Sequence, residues 1–274
     1  MTTFTAFTAD DAAEYIAVPR EHDDKYSRGV LGVMTGSATY PGAAVLSVEA
    51  ALHTGVGMVR YLGDPLPSQL VLARRPEAVT ADGRVQAWLI GSGMDAAERD
   101  DARILPALTQ ALPTILDGGA LELHDRAPGP IVITPHYREL ARILKVDAND
   151  IAADPARWAR SACDTLGVTV LVKGHTTWIS GPGVHLSVTG APPWLATAGA
   201  GDALAGILGA LVATHAADVA ADPTALARLT ATAAVVHGLA ASRASAGGPF
   251  TIMDLCAAVP ATIASLVVRG DRPR

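Results

Sequence analysis

Residues 197–214 read TAGAGDALAGILGALVAT, a glycine-rich turn that leads directly into an almost wholly apolar helix. A helix that is apolar on all sides is typical of a protein core. Glycines ahead of such a helix let the backbone come close to a ligand, and the free N–H groups at the helix start attract an anion. Asp202 lies at this helix start. It could simply cap the helix, or it could act as a general base beside a bound phosphoryl group.

Short apolar runs alternate with helical patterns around this segment. Their near-continuous Val, Ile and Leu content is typical of strands buried on both faces of a parallel sheet, and the alternation is typical of βαβ units. The sequence therefore predicts an α/β fold with a central, mostly parallel sheet flanked by helices on both faces. The predicted strands are 29–34, 57–62, 85–90, 113–116, 130–133 and 168–172, followed by an extended hairpin region at 176–189. The predicted helices are 41–54, 96–112, 136–144, 154–166, 201–214, 223–245 and 252–268.

Length and charge limit the class of protein. A chain of 274 residues corresponds to between one and two average domains. Because the sequence contains neither a long linker nor an internal repeat, we expect a single domain over 1–274. The 21 Lys and Arg residues against 27 Asp and Glu residues give a net charge of −6 without a basic block. This balance argues against nucleic-acid binding.

The cysteines and the hydropathy of the chain indicate the cellular compartment in which the protein is expected. The two cysteines, Cys163 and Cys256, predict neither a disulfide framework nor a structural zinc site. The N-terminus carries Asp10 and Asp11 where a signal peptide would be apolar. The apolar segment at 203–214 is shorter than the roughly 20 residues that span a bilayer. We therefore expect a soluble, cytoplasmic protein that does not enter a membrane.

Further short motifs lie at predicted strand ends, where open α/β sheets bind ligands. They are TGSATYPGAA at 35–44, GSG at 91–93, TPH at 134–136 with Glu139, and KGHTT at 173–177. Each has a structural explanation by itself: ordinary βα turns, a histidine at a helix start, or a solvated lysine. In combination they fit a ligand site, because a lysine–glycine turn can hold nucleotide phosphates and a histidine at a helix start can hydrogen-bond a hydroxyl or a phosphate.

Asp117 ends another predicted strand. A carboxylate that emerges from a buried strand fits a position next to a metal or phosphate site, because burial without a partner would be costly.

These motifs and their order make the chain resemble the NAD(P)H-hydrate dehydratases, a family of the ribokinase-like superfamily, over about residues 25–268. TAGAGDALAGILGAL resembles the anion-hole signature of that superfamily. The resemblance implies a stand-alone, ribokinase-like dehydratase domain without an epimerase domain. One departure is Gly119, which stands where the family usually has a second aspartate after the one that corresponds to Asp117.

The resemblance also implies roles for individual residues. Asp202 would be the catalytic base, and the backbone of Gly199, Ala200 and Gly201 would form the anion hole. The substrate would contact Ala43, Gly93, His136 and Asp202. The nucleotide would contact Lys173, Gly174, His175, Thr176, Thr177 and Gly201. Metal ligands stay unassigned, and Glu139 could either cap its helix or help to organise a magnesium shell.

The activity that the resemblance implies is the ADP-dependent dehydration of (6S)-NADHX and (6S)-NADPHX, the hydrated forms of NADH and NADPH. This reaction returns the reduced cofactor and releases AMP and phosphate. Mg²⁺ is the implied cofactor, with ATP as the alternative phosphoryl donor. The resemblance further implies a homotetramer that works with a separate NAD(P)HX epimerase.

Two alternatives remain. One is a ribokinase-like small-molecule kinase of the hydroxyethylthiazole or hydroxymethylpyrimidine type, whose anion hole would look similar. The other is a catalytically silent protein that binds a nucleotide for regulation.

Overall fold

The computed structural model describes residues 3–270, and these form a nine-stranded sheet with helices on both sides. The strands are β1 (Thr5–Ala6), β2 (Val30–Met34), β3 (Met58–Tyr61), β4 (Ala87–Ile90), β5 (Thr114–Leu116), β6 (Ile131–Ile133), β7 (Thr169–Val172), β8 (Thr177–Gly181) and β9 (Val184–Val188). Their spatial order is β1-β9-β8-β7-β6-β5-β4-β2-β3. The hairpin strand β8 is antiparallel to both neighbours, and the other pairings are parallel. The predicted mostly parallel sheet is confirmed.

The described residues also form eleven α-helices, the last four of which follow β9. They are α1 (Ala9–Ala13), α2 (Gly42–Thr54), α3 (Pro65–Arg74), α4 (Asp101–Leu108), α5 (Tyr137–Leu144), α6 (Ala148–Ala153), α7 (Pro155–Leu166), α8 (Ala200–Thr214), α9 (Ala216–Ala221), α10 (Ala225–Ser245) and α11 (Ile252–Gly270). Two 3₁₀ helices, Gly118–Arg126 and Pro193–Leu195, complete the secondary structure.

Both faces of the sheet are buried, because successive side chains of a strand point to opposite sides and each side meets a layer of helices. Leu89 belongs to the core layer that includes α2, α8 and α10. Its neighbour Ile90 belongs to the other layer, with α4, α5 and α7. This two-sided burial explains why the strands show continuous apolar runs rather than alternation.

Helix α8 is the central helix of its layer, as its sequence predicted. Every residue of 203–213 is buried. A Cβ placed on Gly206 would lie 2.3 Å from the carbonyl oxygen of Ser47, so glycine permits the close approach of α8 to α2. Helix α8 thus packs closely on α2, and its first turn lies at the cavity that the segments after the parallel strands border.

Several elements differ from the prediction. The helix expected at 96–112 is shortened to α4, because the side chain of Asp100 accepts a hydrogen bond from the Arg103 N–H and caps the helix there. The first strand and α1 were not predicted, nor were α3, α6, α9 and the 3₁₀ helix that follows β5. Phe7 packs in the α2–α8–α10 core layer, and Arg269 forms an ion pair with Asp10 at 2.8 Å.

Two helices are long and apolar enough, by length and composition alone, to cross a membrane. They are α10 and α11. In the most apolar stretch of each helix, 83% of α10 is buried within the fold, compared with 33% of α11. The sequence-based expectation considered only the shorter segment at 203–214. Buried core helices of soluble proteins also have this length and composition, and α10 is buried as such a core helix is.

Candidate active site

A cavity of about 1200 Å³ opens at the carboxyl ends of the parallel strands and reaches the start of α8. Ten of the predicted site residues line it: Gly93, His136, Lys173, Gly174, His175, Thr177, Gly199, Ala200, Gly201 and Asp202. They come from the segments that follow β4, β6 and β7 and from the α8 turn. The structure thus brings together motifs that are up to about a hundred residues apart in sequence.

Two predicted residues do not line this cavity. Ala43 lies at the start of α2, and a Cβ added to Gly93 would come within 2.3 Å of the Ala43 Cβ. Ala43 therefore packs directly behind Gly93, whose φ of +68° also favours glycine. Thr176 lies between His175 and Thr177, which both line the cavity.

The α8 turn has the geometry of an anion hole. Gly199 adopts a φ of +90°, and a Cβ there would lie 2.6 Å from the Leu46 side chain, so the position requires glycine. Within residues 3–270, the N–H groups of Gly201 and Asp202 have no backbone acceptor. Unpaired N–H groups at the positive end of a helix dipole attract a phosphate or a carboxylate.

Lys173 is held between a buried carboxylate and the anion hole. Its Nζ donates to Asp117 Oδ1 at 2.9 Å and lies 3.9 Å from Glu139 Oε2. The same Nζ is 3.5 Å from the position of a Cβ on Gly201. Burial acts to lower the pKa of Lys173, but Asp117 and Glu139 outweigh it and raise the pKa, so the ammonium is charged. Its side chain is only 23% exposed, which overturns the view of a solvated lysine.

Asp117 is the anchor of this arrangement. Its carboxylate accepts hydrogen bonds from Ser92 Oγ at 2.8 Å and from Thr134 Oγ1 at 2.6 Å, in addition to the Lys173 ammonium. Burial acts to raise the pKa of Asp117, but Lys173 and these hydrogen bonds outweigh it and lower the pKa. The carboxylate is therefore ionised and compensated, as a buried charge must be.

Asp202 has the properties of a general base. Burial, followed by repulsion from Asp117, raises its pKa to about 6, although Lys173 acts in the opposite direction. A carboxylate with such a pKa is ionised at neutral pH and is a stronger base than an ordinary aspartate. Its position in the first turn of α8 places it next to the anion hole.

His136 is the N-cap of α5. Its Nδ1 accepts hydrogen bonds from the backbone N–H groups of Arg138 and Glu139, at 3.1 and 3.3 Å. The neutral ring must then carry its proton on Nε2, which makes that nitrogen a donor. Glu139 Oε2 accepts the backbone N–H of His136 at 2.8 Å, so the capping role that the sequence left open for Glu139 is realised.

Besides the segment 187–193 that leads from β9 towards the α8 turn, sequence reasoning missed two parts of the cavity wall. The first is the N-terminal segment 6–9, which reaches the cavity because β1 pairs with β9. The signal for it was present: β-favouring residues at 3–8, followed by the capping pair Thr8 and Asp11. The second is His237 on α10, a buried histidine within the stretch AAVVHGLAA at 233–241, which is otherwise free of polar side chains.

Among residues 3–270, no group of three or more His, Cys, Asp or Glu side chains is arranged to hold a metal ion. The carboxylates that line the cavity are Asp117, Glu139 and Asp202. Mg²⁺ that is bound through substrate phosphates needs only one or two carboxylates and keeps several waters. The donor set therefore fits a metal ion that enters with phosphate groups, and it does not fit an all-protein metal cage.

Comparison with known proteins supports the sequence resemblance. The family model for NAD(P)H-hydrate dehydratase matches residues 31–260. The chain is 42% identical over 219 residues to the bifunctional NAD(P)H-hydrate repair enzyme of Mycobacterium leprae, with 75% of this chain and 45% of that protein covered. It is 34% identical over 220 residues to the ADP-dependent (S)-NAD(P)H-hydrate dehydratase of Xanthomonas campestris, with 72% and 76% covered. The chain thus spans about half the length of the bifunctional relatives that it matches.

A solved structure shares the fold. It is the ADP/ATP-dependent NAD(P)H-hydrate dehydratase of Bacillus subtilis, co-crystallised with ATP and Mg²⁺. It superposes with a TM-score of 0.87 at 22% identity and covers 97% of this chain and 100% of its own. The predicted ribokinase-like α/β architecture is therefore confirmed.

Proposed function

The chain belongs to the NAD(P)H-hydrate dehydratase family, and on that premise we propose that it converts hydrated NADH and NADPH back to the reduced cofactors at the expense of ADP. The observation that carries this proposal is the convergence of the base Asp202, the unpaired N–H groups of the α8 turn and the Lys173 ammonium on one cavity. Groups of this kind, in this arrangement, suit phosphoryl transfer to a hydroxyl group.

The first step is transfer of the terminal phosphoryl group of ADP to the 6-hydroxyl group of the hydrated ring. Asp202 accepts the hydroxyl proton, the hydroxyl oxygen forms a bond to phosphorus, and AMP leaves. The N–H groups of the α8 turn and the Lys173 ammonium stabilise the negative charge on the transferred group, which is where preorganised donors contribute most to rate.

The second step is loss of phosphate from the phosphorylated ring. The bond between ring carbon and oxygen breaks, phosphate leaves, and the neighbouring ring carbon gives up a proton, which restores the dihydronicotinamide. Phosphorylation thus turns a poor leaving group into a good one. His136 is placed to donate a hydrogen bond from Nε2 to the substrate, because its Nδ1 is occupied by the helix cap.

We propose that Lys173, Gly174, His175, Thr176, Thr177 and Gly201 hold the nucleotide, and that Ala43, Gly93, His136 and Asp202 contact the hydrated ring. The segment after β7 and the α8 turn border the same cavity, which supports the first group. Ala43 reaches the substrate side through its contact with Gly93. Mg²⁺ that enters with the nucleotide would be held by the phosphates and by Glu139, and it would neutralise phosphate charge.

The homotetramer, the cytoplasmic location and the separate NAD(P)HX epimerase stay predictions of the family resemblance. The kinase alternative has no observation of its own in this cavity. A silent regulator would not need an aspartate whose pKa is raised to about 6 next to an anion hole.

The test is recovery of reduced cofactor from hydrated NADPH in the presence of Mg²⁺ with ADP, with ATP or without nucleotide. We expect the dihydronicotinamide absorbance to return with ADP and not without nucleotide. A stable phosphorylated product would point to the kinase alternative. Absence of any recovery with either nucleotide, from protein that is folded by circular dichroism, would refute the proposed function.

A further inference from the structure

The cavity extends along the sheet edge beyond the groups that the proposed reaction uses. In the sheet, β4, β5 and β6 lie on one side of β7, whereas β8, β9 and β1 lie on the other side. The proposed substrate contacts Gly93 and His136 follow β4 and β6, and Lys173 follows β7. The cavity continues past Lys173 to the carboxyl end of β9 and to β1. Neighbouring strands are about 4.8 Å apart, so this part lies roughly 10–14 Å from β7.

Three segments that contact one another line this part of the cavity, which we call the outer end. They are 6–9, 187–193 and the α10 residues within 234–239. The backbone N–H of Phe7 donates to the carbonyl of Ser187 at 2.9 Å. A Cβ placed on Gly238 would lie 3.5 Å from the Ala191 Cβ, so α10 packs against the segment after β9. The three segments therefore form one continuous wall.

The outer end differs in charge from the rest of the cavity. Within residues 3–270, the Asp, Glu and Lys side chains that line the cavity are Asp117, Glu139, Lys173 and Asp202, and none of them belongs to the outer end. No arginine lines the cavity in this range. A phosphate moved into an uncharged wall would lose hydration without compensation. The outer end therefore suits an uncharged and largely apolar group.

His237 gives the outer end one buried polar side chain. It is 7% exposed, and across the described residues its Nε2 has no hydrogen-bond partner. A buried polar atom without a partner is costly, which indicates that a ligand supplies the partner. Burial lowers the pKa of His237 to about 4, so the ring is neutral and offers one N–H and one acceptor nitrogen. Such a ring suits an uncharged polar edge better than it suits a phosphate.

The direction of phosphoryl transfer determines which part of the nucleotide reaches the outer end. The terminal phosphate of ADP must face the substrate side, where the hydroxyl group that accepts it lies. The nucleoside must then extend in the opposite direction from Lys173 and the α8 turn. We propose that the outer end binds the base of the nucleotide, and that His237 Nε2 hydrogen-bonds the edge of this base. This inference rests on the proposed function, because that function supplies the nucleotide.

The chemistry of adenine matches this environment. Its planar faces are apolar, and its edge carries an acceptor nitrogen beside an exocyclic amino donor, so it can pair with either tautomer of a neutral histidine. ADP and AMP share this base, whereas inorganic pyrophosphate has the two phosphates alone. Loss of the His237 hydrogen bond should therefore weaken both nucleotides by the same factor and leave pyrophosphate unchanged. A distorted anion hole would instead weaken ADP and pyrophosphate more than AMP.

The first test is titration calorimetry of ADP, AMP and pyrophosphate with the wild type and three variants. His237→Leu should weaken ADP and AMP about tenfold each, the range of one hydrogen bond. His237→Gln should restore both affinities, because the Gln side-chain amide reaches the position of Nε2. Thr230→Val is the matched control and should change nothing, since it also removes a buried polar group from α10 but lies outside the cavity lining.

The second test uses an exposed position, so that it does not depend on how well a variant of buried His237 folds. Ala6 is exposed and borders the outer end, whereas its neighbour Thr5 is exposed and lies outside the cavity lining. Ala6→Trp should obstruct the base and weaken ADP and AMP alike, with pyrophosphate unchanged. Thr5→Trp, the control for a bulky side chain on the same strand, should bind all three ligands as the wild type does.

The outcomes separate this inference from the proposed function. Unchanged ADP affinity in His237→Leu or in Ala6→Trp, or pyrophosphate weakened as much as ADP, would overturn the inference alone. So would an increased KM for hydrated NADPH in Ala6→Trp with unchanged ADP affinity, because the outer end would then hold the substrate. Wild-type protein that binds neither ADP nor AMP would overturn the proposed function as well. Thermal unfolding identifies the folded variants, and only these are compared.

Discussion

Replacement of Asp202 by asparagine should stabilise the fold while it removes activity. The folded protein holds this carboxyl at a pKa of about 6 against a usual value of 3.8, because of burial and the nearby Asp117. The shift means that the ionised form is tolerated less well in the folded state than in the unfolded state. Asparagine resembles the neutral form and avoids that cost.

The size of the effect follows from the shift. About two pKa units, at roughly 1.4 kcal/mol per unit, correspond to about 3 kcal/mol at full effect. Partial exposure of the carboxyl to solvent reduces this to about 2 kcal/mol. The folded-state pKa of Asp202 is higher than its unfolded-state pKa. The contribution of this group to the free energy of unfolding of the wild type is therefore fully present below pH 3.8 and is lost as the pH rises through about 6.

The assay is urea unfolding of wild type and Asp202→Asn at pH 7.5 and at pH 4. We expect the variant to be more stable by about 2 kcal/mol at the higher pH and by less than about 1 kcal/mol at the lower pH. Its kcat should fall by about 10²–10⁴-fold, the range for loss of a general base. Equal stability of the two proteins at pH 7.5, or a difference that does not change with pH, would refute the reasoning about this buried carboxyl.

Three further predictions follow from the same cavity. The wild-type kcat/KM should fall tenfold per pH unit below about pH 6, as Asp202 takes up a proton, and an acid limb below pH 4.5 would contradict its role as the base. Lys173→Met should lower the free energy of unfolding in urea by about 3 kcal/mol, because it leaves the Asp117 carboxylate buried without its counter-ion. The double variant Lys173→Met with Asp117→Asn should recover much of that lost stability. Gly199→Ala should weaken ADP binding in calorimetry, because a φ of +90° and the nearby Leu46 side chain both disfavour a Cβ at this position. The control is Gly183→Ala, which should leave ADP binding unchanged, because Gly183 also has a positive φ but lies in open space and outside the cavity lining. Equal effects of the two variants would contradict the anion-hole geometry.

The sequence predicted those parts of the fold that depend on local pattern. Helix α8 was recognisable because its apolar residues and preceding glycines are contiguous, and its confirmed position explains the cavity. The β1–α1 segment was not recognised although β-favouring residues and a capping pair mark it, because its two-residue strand shows no periodicity and is defined by its pairing with β9, about 180 residues away. The 3₁₀ helix after β5 was missed because GGALELHDR has no continuous helical face.

The site shows the same division between local and distant information. His136 and Glu139 form a capping box within four residues, which the sequence could suggest. The ion pair of Lys173 with Asp117 joins residues 56 positions apart, so the sequence placed Lys173 among the nucleotide-binding residues but could not show this partner. The raised pKa of Asp202 likewise arises from packing between distant elements, because burial and Asp117 are its causes.

The most direct test of the proposed chemistry follows the oxygen atom of the ring hydroxyl group. Hydrated NADPH is prepared with a heavy-oxygen label at the 6-hydroxyl position and is then incubated with the protein, ADP and Mg²⁺ in ordinary water. Phosphoryl transfer to the hydroxyl, followed by cleavage of the carbon–oxygen bond, predicts that the released phosphate carries the label, one labelled oxygen for each NADPH recovered. Recovery of NADPH with unlabelled phosphate would contradict the mechanism, because the hydroxyl would then have left as water without ever being phosphorylated.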